Sequence, residues 1–144
     1  MRYLSITIFR RAIKELTKKQ KNGYNSIIKD ISSDFQSKTI DEIRHNRDMV
    51  LEDTMYSIIK LRLPNSDLKL SKSDGFRLIY YVHKTKDIVV FIYVYPKRGP
   101  LGLITIKQQE ILQYLEQLIE ENDNKQLAEI NITDLSVINN TSTI

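Results

Sequence analysis

The chain has 144 residues, 41% of them apolar and 28% charged, with a formal net charge of +4. A chain of this length fits one domain and can bury roughly 68–70% of the surface that its unfolded form exposes. It carries no cysteine and two histidines, which excludes disulfides and thiolate metal sites and argues against a multi-histidine metal site.

The basic start, Met1–Lys14, has an apolar stretch broken by Ser5 and Thr7 and stopped by Arg10 and Arg11. A secretory core needs about 7–15 apolar residues in a row, so this segment is not read as a signal. Tyr3–Phe9 alternates polar and apolar side chains and predicts a strand, against the competing reading of a mitochondrial presequence. No apolar run approaches about 18 residues, so no membrane-spanning helix is expected.

Phe9, Ala12, Ile13 and Leu16 follow helical spacing and predict a helix to about Lys21, with Arg10, Arg11, Lys14, Lys18 and Lys19 off the apolar stripe. Asn22-Gly23 marks a turn. Ile27, Ile28, Ile31 and Phe35 then predict a second helix, capped by Asn25 or Ser26. The short connection implies an antiparallel pair. Residues 37–54 carry little pattern: a helical turn over Asp41–Arg47 and an inward anchor at Val50-Leu51.

Three strand-like runs follow, over residues 55–63, 76–82 and 88–98, separated by turn-forming clusters at 64–75 and 83–87. Pro96 ends the last run, because proline cannot donate to a ladder. Ile111, Leu112, Leu115, Leu118 and Ile119 predict a closing helix with Thr105 as its cap. Residues 123–144 hold one lysine and three acids and are rich in Asn, Thr and Ser. The expected division is therefore a domain over 1–121 and a flexible polar tail over 122–144. The expected fold class is α+β: an N-terminal strand, a two-helix antiparallel pair, a three-stranded antiparallel meander and a C-terminal helix.

The meander concentrates charge. Residues 55–107 hold ten Lys or Arg against three acids, a net +7. A sheet with cations on its surface and rim suits an anionic ligand, nucleic acid first. Strand alternation puts Lys60 and Arg62 on one outward face with Ile58, since burying an unpaired cation is costly. Arg77, directly after Gly75-Phe76, can sit beside them. Tyr93, Tyr95, Lys97 and Arg98 end the third strand at the rim. Guanidinium forks suit phosphate and aromatic faces suit bases. The plain alternative is a solvated face, because lysine also blunts sheet edges.

The ordered run Lys60-Leu-Arg62, Lys72-Ser-Asp-Gly-Phe-Arg77-Leu-Ile-Tyr-Tyr and Val89-Val-Phe-Ile-Tyr-Val-Tyr-Pro-Lys97-Arg98 resembles the RelE/ParE superfamily of bacterial type II toxins, nearest its RelE and HigB branches. The resemblance covers about residues 3–120. It implies a cytoplasmic bacterial toxin, held by a cognate antitoxin protein, that cleaves mRNA without a metal or other cofactor, on the ribosome in many members. ParE-like members inhibit DNA gyrase instead. A nucleic-acid-binding or regulatory module without catalysis is the third reading.

Carried over by position, the resemblance implies Arg77 as the contact to the scissile phosphate, Lys60 as a catalytic lysine and Arg98 as a stabiliser of phosphate charge. Arg62, Lys69 and Lys72 are expected to hold the RNA backbone. Two positions depart from the RelE pattern: Ile58 stands where a further lysine is found, and Ile104 near where a late tyrosine falls. Tyr95 or Lys97 is the expected replacement in proton transfer, with Lys60, Arg77 and Arg98 lowering the phenol's pKa.

Overall fold

The computed structural model describes residues 1–45, 48–103 and 105–144. Its elements, in chain order, are β1 (Arg2–Ser5), α1 (Thr7–Thr17), α2 (Ile27–Gln36), α3 (Ile40–Arg44), β2 (Met49–Glu52), β3 (Tyr56–Leu63), β4 (Phe76–His83), β5 (Ile88–Pro96), α4 (Gln108–Asp123), β6 (Leu127–Ile130) and β7 (Val137–Ser142). The seven strands form one sheet in the order β2-β3-β4-β5-β1-β6-β7. Strands β1 and β5 pair in parallel, and the other neighbours are antiparallel.

This corrects the expected fold class. The sheet has seven strands rather than a meander plus one. The chain ends in strands rather than in a helix, which conflicts with a RelE-like fold closed by its C-terminal helix. Residues 122–144 do not hang free: β6 pairs with β1, burying Leu127, Ala128 and Ile130, and β7 pairs with β6. The sheet therefore runs across the expected boundary at residue 121. Composition concealed this, because β7 is an edge strand and its first five residues are exposed.

The first strand is also shorter than its alternation implied. It ends at Ser5, and Thr7 already opens α1. The buried Glu121 carboxylate at the far end of α4 accepts from the Thr7 backbone N–H at 3.0 Å and from the Thr7 hydroxyl at 2.9 Å. A carboxylate at a helix start satisfies an otherwise orphan donor and complements the helix dipole. Arg10 bonds back to the Ser5 carbonyl at 2.7 Å and so binds the same junction.

The sheet has a helix layer on each face. On one, Tyr3, Phe9, Phe35, Tyr80 and Phe91 form a ring cluster with centroids 5.1–6.0 Å apart, which seats α1 and α2. On the other, Tyr114 of α4 lies 5.1 Å from Tyr93 of β5. Burial on both faces explains why all eight residues of β4 are buried.

The unpatterned stretch resolves into α3 and β2. Thr39 and Glu42 form a capping box at the start of α3. The expected anchor Val50-Leu51 lies inside β2, which pairs with β3. Residues 46 and 47 of the expected helical turn lie outside the described residues. The final helix is flanked at its start by Lys107, not Thr105, and the Ser26 hydroxyl turns to Asp30 and Asn65 instead of capping α2. Among the described residues no helix is long and apolar enough to cross a membrane.

A cationic cleft as the candidate functional site

Three adjacent strands bring the charges together. Arg62 of β3 stands opposite Arg77 of β4, and Arg77 stands opposite Tyr95 of β5. Lys60 lies two residues along β3 on the same face. With Lys97, Asp48 and Thr105 they line an open cleft of about 450 Å³.

Tyr95 reaches this face through a β-bulge. The register shifts between Ile79 and Tyr80, so Tyr80 pairs with Phe91 while Ile79 pairs with Tyr93. Simple alternation would put Phe91, Tyr93 and Tyr95 on one face. The extra residue, Ile92, leaves Phe91 in the ring cluster with α2 and turns Tyr93 and Tyr95 toward the cations. Bulges re-aim side chains in this way beside functional sites.

Like charges directly opposed on neighbouring strands are destabilising. The Arg62–Arg77 pair persists because each cation has other partners. Arg77 is buried, 7% exposed, and its guanidinium donates to the carbonyls of Lys72 at 2.8 Å, Ser73 at 2.9 Å and Phe76 at 3.1 Å. Arg62 is exposed and lies 3.9 Å from Asp48. Burial, and then Arg62, push the Arg77 guanidinium down from its ordinary value. Arg77 is thus the floor of the cleft and the clasp of the 72–76 turn. Gly75 permits that turn, since a side chain there would overlap the Leu63 carbonyl, and its own carbonyl accepts from the Lys97 N–H at 2.9 Å.

The two rim residues differ in their acid–base character. Tyr95 is buried, and desolvation pushes its hydroxyl above 10.0. Hydrogen bonds from the Ile106 backbone and Thr105, together with the charge of Arg77, oppose that shift without reversing it. The expectation that neighbouring cations lower the phenol is therefore overturned: loss of water outweighs them. Lys97 moves down from 10.5, through desolvation and then the charges of Arg77, Lys60, Arg98 and Arg62.

The remaining expected residues lie outside the cleft wall. Arg98 is exposed and turns to Asp74, which accepts from its Nε at 3.0 Å and its Nη2 at 2.6 Å. Lys69 is exposed, with left-handed backbone at φ 54°, on the part of the loop bound to α2. That binding runs through the buried Asp30, which accepts from the Ser66 N–H at 3.1 Å and the Ser66 hydroxyl at 2.6 Å. Lys72 contributes its carbonyl to Arg77, and its side chain is exposed. Ile58 lies on the same face two positions from Lys60 and is fully buried, and Ile104 lies outside the described residues.

Asp48, Met49 and Val50 also line the cleft, and none was expected there. The signal for them is the brief alternation of Met49-Val50-Leu51-Glu52, which marks a strand able to pair with β3. Among the described residues no group of three or more His, Cys, Asp or Glu side chains is placed to hold a metal ion. Comparisons of the chain with protein-family models, with curated proteins and with solved structures each found no match.

Proposed function

We propose that the cleft binds an RNA phosphate and that the protein is a metal-independent endoribonuclease of toxin type, acting in the cytoplasm and restrained by an antitoxin. The observation that carries the proposal is the cross-strand row Arg62–Arg77–Tyr95, flanked by Lys60 and Lys97 in one cleft. The ordered motif between Lys60 and Arg98 supports the toxin reading.

The chemistry follows from the two opposed shifts. Pairs of groups pushed apart in pKa divide the acid and base roles between them. Lys97, shifted down, takes the proton of the attacking 2′-hydroxyl from its neutral form. The 2′-oxygen bonds to phosphorus, the bond from phosphorus to the 5′-oxygen breaks, and Tyr95, which stays protonated, gives its proton to the leaving oxygen. Products are a 2′,3′-cyclic phosphate and a 5′-hydroxyl. Lys60 and Arg62 stabilise charge on the phosphate oxygens, and such positioning supplies most of phosphoryl-transfer catalysis. Arg77, with three bonds committed to carbonyls, sets the floor from which its other N–H groups face the ligand.

The test is incubation of purified protein with single-stranded RNA in chelator, with the product ends mapped. Cleavage with cyclic-phosphate ends, abolished in Lys97→Met and weakened in Arg62→Ala, is expected. Intact RNA overturns the nuclease. A second reading, a binding module without catalysis, is favoured by the burial of Tyr95 and would leave RNA bound but whole.

A further inference from the structure

The face that carries the cationic cleft continues along β3 and β4. Alternation from Arg62 and Lys60 leads through Ile58 to Tyr56, and from Arg77 and Ile79 to Tyr81 and His83. Lys60 and Tyr56 are four steps apart along the strand, about 13 Å at 3.3 Å per residue. At that far end a second opening of about 330 Å³ lies between the strands and α4. This reaches the size of ordinary small-ligand pockets.

Its chemistry is specific. The rings of Tyr56 and Tyr81 stack with centroids 5.0 Å apart at 24°. Tyr56 is only partly buried, so it lies at the open end of the stack. His83 lines the opening and is 3% exposed. Its Nδ1 accepts from the backbone N–H of Lys86 at 3.0 Å and of Thr85 at 3.1 Å. Those bonds place the proton of the neutral ring on Nε2, which makes it a donor. Lys86 lines the same opening and is exposed, while Leu115 and Ile119 of α4 form the opposite, apolar wall. An aromatic platform, one hydrogen-bond donor and a rim cation together suit a planar ring that carries an acceptor and is joined to a phosphate.

We propose that this groove is a nucleobase subsite, holding one base of the same RNA strand whose phosphate lies in the cationic cleft. The proposal rests on the RNA reading of the cleft. It assigns Tyr56 and His83 to binding rather than to chemistry, and it makes the substrate a single strand several nucleotides long, since a paired base could not enter the stack. A partner protein's apolar side chain is the competing occupant. That occupant leaves His83 without an acceptor and Lys86 without a charge.

The test compares two 2′-O-methylated oligonucleotides, which bind without being cleaved: a dinucleotide that spans only the cleft and an octanucleotide that reaches the groove. In Tyr56→Ala the octanucleotide is expected to bind about tenfold more weakly, the scale of one lost base stack. The dinucleotide should bind as to wild type, which also reports that the variant is folded. Tyr56→Phe, which keeps the ring, should bind both as wild type does. Unchanged octanucleotide affinity in Tyr56→Ala overturns the subsite, as does an equal loss for both lengths. Wild-type protein that binds the dinucleotide as tightly as the octanucleotide also overturns it and leaves the cleft standing. Failure to bind either length removes both.

Discussion

One residue, Pro96, separates Tyr95 from Lys97, and their surroundings push them in opposite directions. The phenol is raised above 10.0 by burial, and the ammonium is lowered below 10.5 by desolvation and neighbouring cations. If Lys97 accepts the 2′-proton, its protonated form is inactive, so the cleavage rate should climb with pH through a midpoint below the ordinary lysine value. The rate should fall again only above 10.0, where Tyr95 ionises. Lys97→Arg should lose the climbing limb, because arginine stays charged throughout this range. A pH–rate profile of both proteins checks this; an unchanged climb in Lys97→Arg would assign the base elsewhere. The sequence made Lys60, Arg62 and Arg77 legible as neighbours, because alternation on two adjacent strands needs no further information. It could not set the pKa direction of Tyr95, which depends on a burial that strand alternation does not show.

At the scale of elements, the cleft depends on the loop after β5. Tyr24, fully buried ahead of α2, donates to the Arg98 carbonyl at 2.8 Å and accepts from the Leu101 N–H at 3.1 Å. Gly99, at φ 87°, lets the loop pass over that hydroxyl. Tyr24→Phe removes the phenol that the Arg98 carbonyl and the Leu101 N–H share in part-buried bonds. The expected cost is about 0.5–1.5 kcal/mol in urea unfolding. RNA cleavage should fall as well, because the same loop carries Lys97. A variant with wild-type stability would show that water replaces the phenol. The Ile92 bulge belongs to this scale too. Nothing in the run Ile88-Val-Val-Phe-Ile-Tyr-Val-Tyr marks where alternation breaks, because every residue there is apolar or aromatic. The bulge appears only once Phe91 is claimed by the ring cluster on one face and Tyr93 by Tyr114 on the other.

The whole molecule is one sheet clasped at both ends of the sequence. The strand β1 lies between β5 and β6, so the first residues and the last close the same core. Removing residues 125–144 strips β6 from β1 and exposes the partners of Leu127 and Ile130, both at most 3% exposed. At about 1.5–3 kcal/mol for each buried side chain, the truncated protein should lose at least roughly 3 kcal/mol, a large share of a domain's stability. Thermal unfolding of the truncated chain measures this; an unchanged midpoint would make the segment a dispensable tail. Strands β4 and β5 were readable because burial on both faces leaves near-continuous apolar runs, whereas the four-residue β6 was read as part of the tail. The edge strands β2 and β7 were not, since one is four residues long and the other is exposed along most of its length.

The central claim is that the cleft, rather than the lysines in and just after α1, is where RNA binds. Amide NMR shifts recorded during titration with a short 2′-O-methylated oligonucleotide test it most directly. The largest changes should fall at Lys60, Arg62, Arg77 and Lys97, and the affinity should weaken steeply as salt is raised. Changes centred on Lys14, Lys18 and Lys19, with the cleft amides unmoved, would contradict the account.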